Sequence, residues 1–531
     1  MNNERGSVMP QSALVIGAGV AGLATAALLG KEGYEVTVVD KLDAVGGRAG
    51  DLTIQSHEGF RWDTGPSWYL MPDAFEHFFR LLGTTSAEQL DLVDLDPAYR
   101  VFPEHRAPVD VPSGVDEAAA LFESIEPGAG HKLRNYLAGA EDSYHIAVDR
   151  FLYTTFSSTR PFLHRDVLTR AGTLARLLTT SLQTFVDSRF SDVRLRQILS
   201  YPSVFLSSRP EHTPALYHLM SHTDLGQGVL YPLGGFASVV AALHRLAMAR
   251  GVKFKMNTLV TGITTVDTRA TGVRIQTEDG EVQDLHADIV VSAADLHHTE
   301  TRLLPPELRS YPEKRFARKN PGIGTVLLMV GVRGRLPQLT HHNLFFSEDW
   351  TPDFNAVFNE PRPDRPLRVS RSIYVSMPSA TEVGVAPTDH ENLFILVPTP
   401  ANESVGRGSA YGGPASPAVE AIADAAIDQI ADAAGIPDLA ERIIVRRTIG
   451  PGDFAERYHA WRGGSIGPAH TLRQSAFLRG RNISGKVAGL YYTGATTVPG
   501  VGVPMCLISA ENVIKRLRGD SSSGALPEAT P

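Results

Sequence analysis

Apolar and polar positions follow three different patterns along the chain. At the start, residues 14–16 and 36–39 are short apolar runs around an alanine- and leucine-rich stretch, which predicts a strand, a helix and a second strand. Between about residues 111 and 185, aromatics and leucines recur at helical spacing, and beyond residue 250 short alternating runs predict strands. The helices expected in the middle region are 115–122, 131–151 and 167–185.

The strands expected in the second half of the chain form two groups. Residues 252–256, 260–266, 271–277 and 281–285 predict a β-meander, and the apolar run 288–292 predicts a strand that returns to a parallel sheet. The remaining predicted elements are strands near 325–330, 373–376, 393–397 and 443–447, a helix at 418–434 and a last strand at 490–493.

The first strand–helix–strand unit carries a glycine pattern that suits a nucleotide. Gly17, Gly19 and Gly22 have the spacing G-x-G-x-x-G directly after the first strand, and Asp40 follows the second strand. In dinucleotide-binding folds these glycines permit a tight turn, close approach of a pyrophosphate and close packing of helix on strand. The phosphates lie at the positive end of the helix, and the carboxylate accepts from a ribose hydroxyl. The alternative is a buried unit that merely tolerates glycine.

Length, composition and charge narrow the class of protein. The 531 residues are too many for one hydrophobic core and predict two or three domains. The net charge of −8 argues against a nucleic-acid partner. Cys506 is the only cysteine, which excludes an internal disulfide, a Cys-x-x-Cys redox pair and a cysteine zinc site, and no metal site is expected. No apolar run has the length of a membrane span, so we expect a cytoplasmic protein, in solution or on a membrane surface.

Two further stretches have the composition of a cofactor site. Residues 63–67 (DTGPS) predict a tight loop that brings backbone groups to a bound ring, with an ordinary Gly-Pro turn as the alternative. Residues 493–504 predict a second glycine-rich joint between a strand and a helix, with Pro504 in the first turn. Such a helix N-terminus stabilises negative charge on a ligand. Since no second G-x-G-x-x-G follows a strand, we expect no nicotinamide site and an organic substrate that is itself the electron donor.

Several motifs together resemble those of the bacterial-type phytoene desaturases of the carotenoid and retinoid oxidoreductase family. Gly46-Gly47-Arg48 resembles the second signature of the flavoproteins with two dinucleotide-binding domains, which hold FAD. Asp40 stands where the family commonly has Glu, and Val498 stands where it often has His. The resemblance covers nearly the whole chain and includes VIGAGVAGLATA at 15–26, GGRA at 46–49, DTGPS at 63–67, YPLGGF at 231–236, SAAD at 292–295, QSAFLRG at 474–480 and YYTGATTVPGVGVP at 491–504.

The resemblance implies an α/β fold with a Rossmann-like FAD-binding domain of the two-dinucleotide-binding-domain flavoprotein type and an inserted mixed α+β and helical substrate domain. The expected regions are a discontinuous FAD-binding domain at 12–110, 225–300 and 481–518, a helical substrate or membrane-facing region at 111–224, a substrate domain at 301–480, and disordered termini at 1–11 and 519–531. The residues expected to contact FAD are Gly17, Ala18, Gly19, Gly22, Asp40, Lys41, Gly47, Arg48, Thr64, Gly65, Pro66, Val260, Gly494, Gly502 and Val503.

The activity implied by the resemblance is FAD-dependent introduction of conjugated double bonds into phytoene, giving lycopene or a partly desaturated carotene. Each step removes a hydride, which flavin accepts, and a proton from the neighbouring carbon. Allylic conjugation stabilises the developing charge, so no metal or strong base is required. Oxygen or a quinone is the expected electron acceptor. Alternatives are a desaturase of another substrate such as diapophytoene, a carotenoid isomerase or ketolase, an amine oxidase, or a non-catalytic prenyl-lipid escort protein of the same fold.

Three charged residues are candidates for acid–base assistance through the resemblance. Asp166, in the segment 164–177, matches a family acid. Arg170 follows the position of a family arginine, which is Thr169 here, and Glu382 stands where the family tends to have an aspartate. The alternative for each of the three is an ordinary solvated surface charge.

A lipophilic carotenoid substrate implies an enzyme that loads from a bilayer. Aromatic residues at 151–163 and the basic residues around them predict peripheral attachment to the inner face of the cell membrane through the 151–185 region. An ordinary helical domain with an aromatic core is the alternative.

Overall fold

The strands and helices below come from a computed structural model that describes residues 11–53, 59–158, 163–358 and 369–528. The strands are β1 Ser12–Ile16, β2 Glu35–Val39, β3 Asp51–Thr53, β4 Arg61–Asp63, β5 Leu92–Asp94, β6 Tyr99–Pro103, β7 Val109–Val111, β8 Leu230–Pro232, β9 Lys253–Lys255, β10 Thr258–Val266, β11 Arg269–Thr277, β12 Val282–His286, β13 Ile289–Ser292, β14 Ile323–Arg333, β15 His342–Phe346, β16 Ile373–Ser376, β17 His390–Pro400, β18 Ile443–Ile449 and β19 Leu490–Tyr492.

The helices alternate with these strands at both ends of the chain and cluster between residues 115 and 205. They are α1 Val20–Lys31, α2 Pro72–Leu81, α3 Ser86–Gln89, α4 Val115–Ile125, α5 Ala129–Ala147, α6 Arg165–Thr169, α7 Ala171–Thr179, α8 Leu182–Asp187, α9 Val193–Ser200, α10 Pro202–Phe205, α11 Gly235–Met248, α12 Leu296–Arg302, α13 Glu313–Phe316, α14 Trp350–Phe358, α15 Pro417–Ala434, α16 Leu439–Arg442, α17 Pro451–Tyr458 and α18 Val503–Arg518. In the described part of the chain, none of them is both long and apolar enough to cross a membrane.

A five-stranded parallel sheet in the order β19-β13-β1-β2-β9 joins the two ends of the chain. Helices α1, α11 and α18 cover it, and β1 is apolar because a parallel sheet is buried on both faces. The predicted strand–helix–strand unit is confirmed by β1, α1 and β2. The predicted return of residues 288–292 to the sheet is confirmed by β13, which pairs in parallel with β1.

The predicted meander has one strand fewer than expected. Residues 252–256 form β9, which pairs in parallel with β2 and so extends the five-stranded sheet. Asn257, with a φ of 49°, separates β9 from β10, and the meander proper is the antiparallel set β10-β11-β12. The four-strand prediction was wrong at this point because alternation shows that a run is a strand but not which strand it pairs with.

A mixed seven-stranded sheet in the order β18-β14-β17-β16-β15-β6-β7 forms the second half of the molecule. Side chains along β14 alternate: Val326 and Leu328 pack under α15, and Thr325 and Leu327 face the opposite side. Strands β6 and β7 belong to this sheet through parallel pairing of β6 with β15. The predicted boundary of the FAD-binding domain at residue 110 is therefore too late, because short strands carry no mark of their partner sheet.

The helical region differs from its prediction in one place. Helices α4 and α5 occupy the two stretches expected, but the single helix predicted at 167–185 consists of α6, α7 and α8. Ser181 ends the run because its hydroxyl accepts from the Thr184 N–H at 3.2 Å and caps a new helix.

The chain after α18 is not the disordered tail expected from residue 519. Residues 519–528 fold back on α18: Leu526 is buried, and Lys515 Nζ donates to the carbonyl oxygens of Ser522 at 2.9 Å and Gly524 at 2.5 Å. His77 of α2 lies between the carboxylates of Glu511 and Glu528 at 2.9 and 3.0 Å. The polar and small residues of this stretch predicted disorder, and the composition did not indicate the contacts of Leu526 and Glu528 with the folded protein. Residues 1–10 and 529–531, also predicted to be disordered, lie outside the described residues.

Candidate cofactor and substrate site

The glycine pattern at the start of the chain shapes a turn that only glycine can form. Gly17 has a φ of 101°, and its N–H donates to the Val39 carbonyl at 2.8 Å. A Cβ on Gly22 would lie 1.8 Å from the Gly17 oxygen, so α1 packs against the turn without any side chain between them. Gly19 is the N-cap of α1 and leaves the first N–H groups of the helix open to the cavity.

A second loop, residues 46–48, closes against the first. Gly46 N–H donates to the Ala18 carbonyl at 2.9 Å, and a Cβ on Gly47 would lie 3.3 Å from the Gly19 Cα. Arg48 Nη1 donates to the Ser465 carbonyl at 3.0 Å and so ties this loop to the chain beyond α17.

The loop at 63–67 packs on the second loop just as closely. A Cβ on Gly65 would lie 2.0 Å from the Arg48 carbonyl oxygen, and Thr64 Oγ1 donates to the Gly50 carbonyl at 3.0 Å. Asp63 has a different task, since it accepts from Phe236 N–H at 3.1 Å at the start of α11. Burial raises the pKa of Asp63 to about 7.

Asp40 lies where the sequence placed it, at the end of β2 and on the wall of the cavity. Its two carboxylate oxygens accept from the N–H groups of Ala18 at 2.6 Å and Leu42 at 2.8 Å. Burial raises the pKa of Asp40, and the two backbone N–H groups oppose that shift. Each carboxylate oxygen keeps a second lone pair for a ribose hydroxyl.

Lys41, Val260 and a stacked histidine pair surround the same end of the cavity. The rings of His298 and His459 lie 3.9 Å apart at 5°, and burial lowers their pKa values to about 3 and about 4. Both rings are therefore neutral at pH 7 and offer a flat apolar face. His298 comes three residues after the SAAD motif and His459 directly after α17, and no motif or spacing in the sequence singles out either residue.

The glycine-rich joint near the end of the chain faces this first set of loops. Gly494 and Gly502 have φ values of 102° and 110°, and Gly502 is the N-cap of α18. A Cβ on Gly494 would lie 3.3 Å from the Cβ of Ala21, so the joint touches α1. Residues 502–505 line the cavity with the start of α18, as a second helix N-terminus directed at a ligand.

Two buried side chains that the sequence did not reveal hold this joint. Arg479 donates to the carbonyl oxygens of Ala495 at 2.6 Å and Thr497 at 3.0 Å, and burial lowers its pKa to about 10. His470 Nε2 accepts from Val501 N–H at 3.2 Å, so Nδ1 carries the proton and donates to the Tyr217 oxygen, 3.0 Å away. Arg479 is the arginine of the QSAFLRG motif, and this side chain of the motif holds the cofactor loop.

One continuous cavity connects all of these loops. Every residue expected to contact FAD lines it except Ala18, which is fully buried behind Asp40. Beyond the loops the cavity continues into an arm walled by the second sheet and the helical region, which we call the apolar arm. The apolar arm is lined by Ser67, Trp68, Leu70, Met71, Phe205, Leu206, Leu219, Met220, Thr223, Thr325, Leu327, Tyr374, Phe394 and Leu396.

A buried aromatic cluster lies behind the apolar arm. Trp68 stacks on His342 with 4.4 Å between ring centroids, and Tyr374 OH lies 2.7 Å from His342 Nδ1. Asp224 accepts from the hydroxyls of Tyr99 at 3.1 Å and Tyr201 at 2.9 Å, and burial raises its pKa to about 7. These six residues come from six separate stretches of sequence, so no spacing predicted them.

The structure does not bring the three candidate catalytic residues to the cavity. Asp166 pairs with Arg150 at 2.8 Å, and Arg170 pairs with Asp142 at 2.7 Å. Both pairs are partly exposed and hold α6 against α5 and the segment after it. These pairings support the alternative of a surface role for both residues.

Glu382 also lies away from the cavity lining. It accepts from Tyr231 OH at 2.7 Å and Gly234 N–H at 3.0 Å, and Arg61 lies 3.6 Å away. These contacts hold the turn before α11.

The parallel sheet, two helix N-termini and three interlocked glycine loops fit FAD, because a backbone cradle without side chains leaves room for its pyrophosphate. They define an FAD-dependent oxidoreductase. The chain belongs to the family of flavin containing amine oxidoreductases, whose pattern matches residues 20–515. The predicted fold class is confirmed by this match and by the solved structures described next, and the predicted flavin cofactor is confirmed by this match.

Two relatives resemble this chain along nearly its whole length. A carotenoid 3,4-desaturase from Haloarcula japonica is 40% identical over 95% of this chain and 98% of its own. A zeta-carotene-forming phytoene desaturase from Myxococcus xanthus is 33% identical over 98% and 97%.

Solved structures share the fold at lower identity. An oxidoreductase from Methanosarcina mazei superposes with a TM-score of 0.60 at 17% identity, covering 95% of this chain and 100% of its own. A putrescine oxidase bound to putrescine gives a TM-score of 0.58 at 15% identity, covering 96% and 99%.

Proposed function

We propose that the chain is a carotenoid desaturase that acts on phytoene and yields lycopene or a partly desaturated carotene. One observation carries the proposal: the FAD end of the cavity continues into the apolar arm, and none of the described residues that line this arm has a charged side chain. A long hydrocarbon gains free energy by burial there. A protonated amine would lose its hydration without a carboxylate partner, which argues against an amine oxidase. The carotenoid desaturases among the relatives support the same substrate class.

A second candidate is desaturation at the 3,4 position of a carotenoid that is already conjugated. The higher identity to the desaturase from Haloarcula japonica favours it, at 40% against 33% for the phytoene desaturase from Myxococcus xanthus. Both reactions use the same cavity chemistry and differ in the carbon atoms placed at the FAD end.

The protein's own part in either reaction is to position the hydrocarbon and exclude water. FAD, when bound, supplies the acceptor for the hydride. Trp68, Leu327 and Leu396 supply apolar walls that fix the chain of the substrate. Tyr374 places a hydroxyl, backed by His342, on the wall of the apolar arm, and we assign it the first contact with the proton that leaves the neighbouring carbon.

The test is turnover by the FAD-loaded enzyme in lipid vesicles. Vesicles carry phytoene or lycopene, with oxygen or a quinone as the acceptor, and the products are separated by chromatography. Coloured products from phytoene support the first proposal, and turnover of lycopene alone supports the second. No carotenoid turnover together with oxidation of an amine overturns both. The faster acceptor identifies the route of the electrons.

Peripheral attachment to the inner face of the cell membrane is part of this proposal. Leu163 and Leu168 of the 151–185 region are 67% and 55% exposed, as expected for side chains that enter a lipid surface. Other apolar residues of the region, such as Leu182 and Phe185, are buried in the helical core. Both interpretations of the region are therefore supported, each for different side chains.

A further inference from the structure

A short turn at residues 471–479 carries exposed apolar side chains that the proposed reaction does not use. Leu472, Phe477 and Leu478 are 50%, 61% and 42% exposed. Single exposed apolar residues are normal on a protein surface, but three within one turn, including a phenylalanine, form a patch. We call residues 471–479 the basic-flanked turn, for the reason given below.

The basic-flanked turn is held rigidly from beneath. Ser475 Oγ accepts from Tyr217 OH at 3.1 Å, and Gln474 Nε2 donates to the Asn320 carbonyl at 2.9 Å. Arg479 ends the turn with its buried guanidinium on the cofactor loop. Ala476 has a φ of 49°, which residues other than glycine rarely adopt. Phe477 and Leu478 are thus presented outward by a fixed scaffold and do not fold back into the core.

Positive charge surrounds the patch, although the chain as a whole has a net charge of −8. Lys319 Nζ lies 3.5 Å from the Leu478 carbonyl, and Arg481 N–H donates to Tyr311 OH at 2.9 Å, which brings residues 311–319 beside the turn. Burial first, and then Arg315 and Arg479, lower the pKa of Lys319 to about 8. Several cations in or beside the basic-flanked turn have no ion pair to a described carboxylate. They are Arg315, Arg318, Lys319, Arg473 and Arg481.

The basic-flanked turn is connected through one internal segment to the region already proposed to meet lipid. Tyr217, which bonds to Ser475, belongs to the 3₁₀ segment Ala215–Leu219, and α7 packs against that segment. Leu219, at the end of the same segment, lines the apolar arm. The segment Ala215–Leu219 therefore contacts the turn and α7 and also forms part of the wall of the apolar arm.

We propose that the basic-flanked turn docks on an anionic phospholipid surface, with Phe477 and Leu478 among the acyl chains and the arginines at the headgroups. The proposal rests on the membrane loading described under the proposed function and adds a second anchor to it. Apolar side chains with cations beside them suit an anionic bilayer. The apolar side chains gain free energy by entering the hydrocarbon, and the cations gain it from the negative surface potential.

The test is sedimentation of the FAD-loaded enzyme with vesicles of phosphatidylcholine, with and without phosphatidylglycerol. For F477S/L478S we expect the partition coefficient to fall about tenfold or more, because two apolar side chains no longer enter the bilayer. The matched control is Val282→Ser, which removes a 57% exposed valine from the distant β12. R473Q/R481Q is expected to lose only the part of the binding that requires phosphatidylglycerol. Flavin content and turnover of detergent-dispersed substrate should be unchanged in all variants.

Each outcome bears on a distinct statement. Equal binding of F477S/L478S and the unsubstituted enzyme overturns this inference and leaves α6 and α7 as the anchor. Equal binding of the unsubstituted enzyme to vesicles with and without phosphatidylglycerol overturns the role of the cations. No binding of the unsubstituted enzyme to either vesicle overturns membrane attachment altogether, and the turnover measurement then decides separately whether the chain is a carotenoid desaturase.

Discussion

Individual residues of the site differ in how they tolerate change. Gly22 and Gly65 have no room for a methyl group, since an added Cβ would meet a backbone oxygen at 1.8 and 2.0 Å. Tyr374 lines the apolar arm, and His342 lies buried behind it with its Nε2 lacking a hydrogen-bond partner within the described chain. The two glycines shape the cavity, and the proposed chemistry uses the Tyr374 hydroxyl.

We expect Gly65→Ala to lose most of its FAD. The new methyl group would push apart the loops at 46–48 and 63–67, because the Arg48 carbonyl oxygen cannot retreat without moving the turn. The ratio of flavin absorbance to protein absorbance after purification measures the loss. Gly172→Ala is the matched control, since nothing lies within 4 Å of its Cβ position in α7. Full flavin content in Gly65→Ala would contradict this account of the loops.

We expect Tyr374→Phe to lower kcat by about 10²-fold, the lower end for loss of an acid–base group. The ring and the apolar wall remain, so flavin content and substrate binding should be unchanged. Tyr411→Phe, which removes a hydroxyl next to Tyr458 away from the arm, is the control. Single-turnover bleaching of the flavin by substrate measures the effect. An unchanged rate would remove Tyr374 from the chemistry.

Among the elements, the joint between β19 and α18 depends on side chains from another part of the sequence. Arg479 and His470 hold Ala495, Thr497 and Val501 by their backbone atoms. The glycine-rich motif was recognisable in the sequence because its composition is unusual. Its supports were not, because an arginine or a histidine becomes structural only through burial and through partners that spacing does not show.

Arg479→Met should weaken both the joint and the cofactor site. It removes the donor to the carbonyl oxygens of Ala495 and Thr497, and also to those of Pro468 and Gln474 at 3.3 and 3.4 Å. Each buried oxygen that is left without a donor costs about 1–3 kcal/mol. We expect a lower unfolding midpoint in urea and weaker binding of FAD by the apoprotein, measured by fluorescence quenching. Arg318→Met, at an exposed position, is the control. An unchanged affinity for FAD in Arg479→Met would show that the joint holds its shape without the arginine.

The stability contributed by the C-terminal segment 519–528 should depend on pH, because His77 lies between two carboxylates there. The hydrogen bonds and charges of Glu511 and Glu528 outweigh burial and raise the pKa of His77 above 6.5. Because its pKa is raised, protonated His77 stabilises the folded protein. This stabilisation is fully present below pH 6.5 and is lost as the pH rises through the raised pKa. The difference in melting temperature between the unsubstituted protein and His77→Gln should therefore shrink as the pH rises. A difference that grows with pH would contradict the assignment.

For the molecule as a whole, the sequence predicted the loops that have an unusual composition. It did not predict which strands pair with one another. The loops around Gly17, Gly47 and Gly494 were recognisable because a pyrophosphate requires bare backbone, and the resemblance supplied the rest of the cofactor set. The assignment of β9 and of β6–β7 to their sheets was not recoverable, since a three- to five-residue strand carries no label of its neighbour. The aromatic cluster behind the apolar arm was missed for the same reason.

FAD should stabilise the whole molecule, because its binding loops come from both ends of the chain and from the second sheet's connection at Ser465. At a concentration 100 times its Kd, a ligand that binds the folded state alone adds about 2.7 kcal/mol. We expect the melting temperature of the apoprotein to rise with FAD concentration, as measured by calorimetry. Gly65→Ala should show little of this rise, and an equal rise in the variant would place the stabilising contacts elsewhere.

The long separation along the sequence between β1 and the pair β19 and α18 has a consequence for the order in which the cavity forms. β19 is the edge strand of the parallel sheet, beyond β13, and α18 contributes the second helix N-terminus of the cavity. Until residues 490–518 have been synthesised, the chain presents only part of the cavity, because the loops at 17–22 and 46–48 lack the joint that faces them. We expect tight binding of flavin only after these residues have folded onto β13 and α1.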